Sequence, residues 1–231
     1  MGSEMCIRDR WFAASDDLIK YYLDPRTYLS SSSSVFAFEK LSYDSSQTRS
    51  GVEAILSGTF MHNSRPSGSS STYSSMIITA AKKSGVSPYH IASRIKQEVG
   101  GSMTSGTNGK NASYPGIYNF YNIGAFQSAA GNAITNGLKW AASGTTYNRP
   151  WTSPSKSIIG GAIYIGEAYI NVGQNTLYTQ KFNVTYKDCL YWHQYMGNVQ
   201  APRTEAAKVY EAYKASGLSL IHISEPTRPL Y

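Results

Sequence analysis

The segment Ser87-Pro88-Tyr89-His90-Ile91-Ala92-Ser93-Arg94-Ile95-Lys96-Gln97-Glu98-Val99-Gly100-Gly101 carries stop signals at both ends, and these fix a short helix with an acid at its far end. Ser87 is suited to cap the N-terminus, and Pro88 fits the first helical position, where no backbone N–H is needed. Gly100 and Gly101 end the helix just after Glu98. Ile91, Ile95 and Glu98 fall at i, i+4 and i+7, so the acid shares a stripe with apolar residues. A carboxyl group placed there is expected to face partly apolar surroundings and the negative end of the helix dipole. Both disfavour the charged form, which suits a general acid working near neutral pH. Spacing alone also describes a surface glutamate in the last turn of an ordinary helix.

The chain of 231 residues is long enough to bury a sizeable core, as one large domain or two small ones. Charged residues make up only 15%, while 19 tyrosines and many serines and glycines are present, which predicts a polar but weakly charged surface. The formal charge of +7 fits an anionic partner: nucleic acid, a membrane surface or a polymer such as a bacterial wall. The basic residues form no stripe, their densest spots being Lys82-Lys83 and Arg94/Lys96, and this diffuse pattern argues against dedicated nucleic-acid recognition. Cys6 and Cys189 support neither a disulfide framework nor metal-ligand spacing. No apolar run is long enough to span a membrane, and no signal-peptide core is seen. Nothing in the pattern reports an oligomeric state.

Residues 1–10 and 218–231 follow no local structural logic and resemble translated sequencing-adapter peptides at the ends of assembled metagenomic fragments. They are expected to be non-native, with a signal peptide or wall-anchoring repeats lost from either side. Between them the chain divides into a helical lead-in, 11–62, and a main body, 63–217. Helices are predicted over 16–23, 47–56, 72–84, 129–142, 155–170 and 204–214, besides the Glu98 helix. Residues 35–38 read as a short strand or a buried turn. Helix 72–84, closed by Gly85, should form a hairpin with the Glu98 helix. Residues 100–116, rich in Gly, Ser, Asn and Thr, read as a loop or a small hairpin lobe. Gly160-Gly161 inside a helix predict close packing against another backbone, because glycine otherwise costs about 1 kcal/mol there.

Several ordered motifs resemble the bacterial cell-wall endo-β-N-acetylglucosaminidases, the glucosaminidase autolysins. They are 92–100 (Ala-Ser-Arg-Ile-Lys-Gln-Glu-Val-Gly), 118–125 (Tyr-Asn-Phe-Tyr-Asn-Ile-Gly-Ala), 157–162, 173–178, 193–196 and 198–202, with 21–26 and 58–61 upstream. The likeness covers about residues 15–215 in order. It implies an α+β fold, mostly α-helical and lysozyme-like, with a small β-hairpin lobe beside a sugar-binding groove. It further implies metal-free hydrolysis of the β-1,4 bond after N-acetylglucosamine in peptidoglycan, outside the cell, with Glu98 as the acid. On this resemblance the partners are peptidoglycan strands and the anionic wall, and no cofactor is needed.

Glycoside hydrolysis ordinarily uses two carboxyl groups. The next acidic residues after Glu98 are Glu167, Asp188, Glu205 and Glu211, and residues 100–125 contain none. This departure leaves two routes: attack by the 2-acetamido group of the substrate itself, or water delivered by Tyr118, Tyr121 or Asn122. Those three, with Phe120, combine flat faces for stacking with hydrogen-bonding groups; Phe120 and Ile123 are the expected core members. Trp151 reads as a sugar-stacking residue or a core anchor, and Tyr178 as part of the far wall. His90 reads as structural, and His62 and His193 lack partners at ligand spacing, so no metal site is expected. The same scaffold also accommodates a muramidase, a lytic transglycosylase or a non-catalytic wall-binding module.

Overall fold

The computed structural model describes residues 13–128, 131–215 and 217. The two expected non-native ends, with Cys6 and His222, lie outside the described residues. Eight α-helices are described: α1 (Asp16–Leu23), α2 (Arg49–Leu56), α3 (Tyr73–Ser84), α4 (Pro88–Val99), α5 (Ala133–Ala142), α6 (Pro154–Ile165), α7 (Leu177–Phe182) and α8 (Ala201–Ala215).

Local chemistry sets most of the helix ends. The side chains of Ser15, Thr48, Thr72, Ser87, Asn132, Ser153 and Thr176 each accept from a backbone N–H in the first turn of the helix that follows. Pro88 and Pro154 occupy first-turn positions. Residues 35–38 take the buried-turn form, as part of a 3-10 segment spanning Ser34–Phe38. Helix α5 begins at Ala133 rather than at 129, because Asn132 caps it there. The expected helix 155–170 changes character at Gly166, where a π-helical turn covers Gly166–Ile170 and Asn171 N–H donates to Gly166 C=O at 2.8 Å. Widened turns of this kind are frequent at functional sites.

The expected β-hairpin lobe is absent among the described residues, where pairing is limited to the isolated bridges Ser42–Val86 and Ser128–Gly131. Side chains capture the backbone groups that a ladder needs. Asn108 Oδ1 accepts from Lys110 N–H, and Asn111 Oδ1 accepts from the N–H groups of Ser113 and Tyr114. Such local bonds compete directly with strand pairing. The regular structure among the described residues is therefore almost all helical.

The lead-in shares the main core. Tyr28, Phe36, Val52 and Ile55 cluster with Ile77, Ile91, Ile95, Phe120, Ile158 and Tyr213. Helix α3 lies against α6, and α4 lies against both α2 and α3. Lys96 ties α4 to the end of α2 by donating to the carbonyls of Ile55 and Ser57 at 2.8 and 2.9 Å. The close approach expected at Gly160-Gly161 is present: a Cβ on Gly160 would stand 2.1 Å from Tyr147 O, and one on Gly161 would stand 2.1 Å from the Tyr121 ring.

Two buried titratable side chains make stability respond to pH in opposite senses. Burial pushes the Glu39 carboxyl up to about 7 against a hydrogen bond from Tyr213 Oη. The folded state then holds a proton that the unfolded chain releases near 4.5, so stability falls as pH rises from there through 7. Burial and Arg94 hold the His90 imidazole down at about 3, so its contribution is lost as pH falls below its ordinary 6.5. Glu39→Gln, which keeps an acceptor for Tyr213, should remove the first dependence. Compared with the parent by urea denaturation, the variant should gain on the order of 3 kcal/mol between about pH 4.5 and pH 8. A difference that does not change with pH would refute this account.

Candidate active site

Helix α4 delivers Glu98 as its apolar stripe requires: Ile91 and Ile95 are fully buried beneath it, and the carboxyl emerges at the last turn with 31% of its side chain exposed. Gly100 then turns the chain with φ 67° and ψ −159°, a conformation open in practice only to glycine, so the helix stops beside the acid. Glu98 borders a cavity of about 230 Å³ whose walls include Arg94, Asn122, Tyr164, Ile165 and Tyr195. It is the one carboxylate among the described residues lining that cavity.

Asn122 is the closest neutral partner of the acid. Its Nδ2 donates to Glu98 C=O at 2.8 Å and lies 3.3 Å from Glu98 Oε2. The residue has φ 51°, a left-handed backbone that asparagine tolerates better than most side chains. Its neighbour Asn119 fixes the turn by donating to the carbonyls of Ile123 and Gly137 and accepting from Ile123 N–H. Tyr121 lines the cavity but is buried, and its hydroxyl donates to Ile158 C=O at 2.8 Å. Its hydroxyl is thereby committed to the backbone and is not free to deliver water. Tyr118 is half-buried, packs on the core and lies outside the cavity lining, with its ring against Gly109.

Of the aromatic residues expected at the sugar, Trp151 takes its core-anchor alternative and Tyr178 needs correction. Trp151 is fully buried, donates from Nε1 to Tyr147 C=O and packs with Ile117, Leu138 and Ala141, so its ring has no face for a ligand. Tyr178 is buried among Tyr28, Phe38 and Phe182, and its hydroxyl donates to Leu23 C=O. It anchors the lead-in instead of lining a far wall. Phe120 is core, as expected, while Ile123 lines the cavity half-buried. Glu167 and Asp188 are both exposed and outside the cavity lining.

The structure adds side chains that the sequence reading gave no role. Arg94, one turn before Glu98, places Nη2 3.6 Å from Glu98 Oε1 and Nη1 3.7 Å from Glu205 Oε2. Arg94 also donates to Tyr195 Oη, with its guanidinium 5.0 Å from the Tyr195 ring centre. Burial raises the Tyr195 phenol above its usual range, against the opposing pull of Arg94. Tyr164 on α6 completes the wall. The i, i+4 spacing of Arg94 and Glu98 was the available signal; for Tyr164, Tyr195 and Glu205 no local signal exists.

Tyr195 is held by the segment around it. Its N–H donates to Gln180 C=O, and the buried Lys181 ammonium donates to Gln194 Oε1, Met196 C=O and Gly197 C=O at 2.9, 2.9 and 3.0 Å. Gln174 Nε2 donates to His193 C=O, and Gln174 Oε1 lies 2.7 Å from the His193 ring. Tyr169, on the π-helical turn, packs its ring edge-to-face with Tyr195. Among the described residues no three His, Cys, Asp or Glu side chains converge in a metal-binding group, and no helix is long and apolar enough to cross a membrane. Lys181→Met should leave three acceptors without their donor, cost about 2 kcal/mol of stability and speed hydrogen exchange at the Tyr195 amide. Unchanged exchange there would show that Lys181 does not secure the wall.

No protein-family model matches the chain. It is 28% identical over 207 residues to a beta-N-acetylglucosaminidase of Bacillus subtilis (strain 168), covering 88% of this chain and 21% of that protein. It is 27% identical over 216 residues to a bifunctional autolysin of Staphylococcus epidermidis, covering 90% of this chain and 15% of the relative. The chain thus spans about a fifth or less of the length of these relatives. Among solved structures, a major bifunctional autolysin superposes with TM-score 0.66 at 22% identity, over 90% of this chain and 80% of that one. A catalytic mutant of S. aureus autolysin E in complex with the disaccharide NAG-NAM superposes with TM-score 0.60 at 22% identity, over 89% and 81%. The resemblance carried by the sequence motifs is borne out by these relatives, and the helical fold is shared with the solved autolysins.

Proposed function

We propose that this chain, related in sequence to the glucosaminidase autolysins, hydrolyses the β-1,4 bond after N-acetylglucosamine in peptidoglycan, with Glu98 as general acid. The supporting observation is the cavity at the end of α4, where Glu98 is the one carboxylate in the wall and Asn122 and Arg94 fix its two oxygens. The protonated Glu98 donates to the glycosidic oxygen as the bond from that oxygen to C1 breaks. The substrate's own 2-acetamido carbonyl oxygen closes on C1 from the opposite face, giving a cyclic oxazolinium ion. Glu98, now a carboxylate, takes a proton from water as the water opens that ring, and the β configuration is retained. This route suits a cavity with a single carboxyl group and a Tyr121 hydroxyl committed to the backbone. The enzyme acts outside the cell, where its formal charge of +7 favours the anionic wall.

Glu98→Gln should abolish lysis of purified walls while leaving wall binding within about twofold, because the amide keeps the shape but has no acidic proton. Lysis by the variant at the parental rate would refute Glu98 as the acid. Digested walls should carry new N-acetylglucosamine reducing ends; new N-acetylmuramic acid ends would identify a muramidase. The neighbouring-group route has its own test. A glycan with trifluoroacetamido groups, whose carbonyl is a poorer nucleophile, should be cleaved at least about a hundredfold more slowly, and an equal rate would rule the route out.

A further inference from the structure

We infer that Arg94 is a positioning residue shared between Glu98 and Glu205, through which helix α8 sets the orientation and charge environment of the acid. The inference rests on Glu98 acting as proposed above and adds a residue from the far end of the chain to its control. The Arg94 side chain is 13% exposed and presents Nη2 to Glu98 Oε1 and Nη1 to Glu205 Oε2, at 3.6 and 3.7 Å. Its plane cannot turn freely, because it also donates to Tyr195 Oη and, from Nη1, to Gln97 Oε1. Glu205 is itself pinned from the other side, with Lys208 Nζ 2.9 Å from its Oε1. The charges in this chain therefore alternate from Lys208 to Glu205, Arg94 and Glu98.

The arrangement divides one cation between two carboxylates. Were Glu205 absent, Arg94 would turn its whole charge on Glu98, favouring the ionised form and depriving the reaction of its proton. Were Arg94 absent, Glu98 would lose the partner that aims Oε1. The other polar side chains lining the cavity with Glu98 are Tyr121 and Asn122 from the 118–125 loop, Tyr164 from α6 and Tyr195 from the 194–197 segment. None of them carries a formal charge near neutral pH, so Arg94 and, through it, Glu205 and Lys208 hold the electrostatic control. An arginine suits this place because its planar fork reaches two carboxylates at once, which a lysine point charge cannot do.

Two readouts test the inference in the full chain: the basic limb of the pH–rate profile for wall lysis, and the carboxyl ¹³C titration of Glu98 by NMR, which needs no activity. Arg94→Met should move both to higher pH, and Glu205→Gln should move both to lower pH. Arg94→Lys should fall between the parent and Arg94→Met. In the Arg94→Met background, Glu205→Gln should have a much smaller effect than in the parent. An equal shift in both backgrounds would mean that Glu205 acts by its own field, and the shared role of Arg94 would be overturned. Absence of any shift in the single variants would overturn it as well. If the Glu98 titration moves as expected while Glu98→Gln still lyses walls, the network stands and the proposed role of Glu98 fails.

Discussion

The close approach of backbone and aromatic rings at Gly160-Gly161 is the contact on which the rest of the site depends. A helix with side chains there would be pushed away from Tyr147, Trp151 and Tyr121. The Tyr121 ring packs against Gly161 and its hydroxyl bonds to Ile158 C=O, while Ser157 Oγ accepts from Phe120 N–H. These contacts hold the 118–125 loop on α6, and that loop brings Asn122 to the end of α4. Since α6 also packs on α3, and α3 on α4, the acid and its amide partner are placed by one continuous stack of helices. Local loop preferences alone would not set a contact of 2.8 Å between residues that far apart in sequence.

The opposite wall is built on a different principle. Between α7 and α8 the chain has little regular structure, yet it is wired to buried polar side chains. Lys181 and Gln174 hold the stretch on one side, and Asn183 donates to the carbonyls of Cys189 and Trp192. A buried ammonium is costly unless its protons are satisfied, and here all three have acceptors. The arrangement leaves Trp192 projecting into solvent while Tyr195, three residues later, is turned inward to Arg94.

What could be read from the sequence was what neighbouring residues decide. Ser87 announced its helix, and Gly100 its end, because capping is settled within four residues. The place of Glu98 above Ile91 and Ile95 followed from helical periodicity alone. Trp151 was left between sugar contact and core anchor, and Tyr178 was expected on the far wall, because an aromatic ring in a loop or first turn carries no local mark of which face is covered. Their partners, Ala141 and Leu23 among them, are supplied by tertiary packing. The expected hairpin lobe failed for a reason that composition did contain: Asn108 and Asn111 offer the backbone a competing set of bonds. Glu205 could not have been joined to Glu98 from sequence at all, since the link passes through Arg94 across more than a hundred residues.

Three of the side chains that shape the loops around the cavity have one chemical property in common. Asn119, Asn122 and Asn183 fasten backbone carbonyls with carboxamide groups, which neither gain nor lose protons in water at ordinary pH. Had aspartates done this work, the framework would have loosened and tightened with the acidity of the medium. As built, these three fastenings keep their form while the proton of Glu98 comes and goes, so this part of the cleft's moulding does not follow the chemistry inside it.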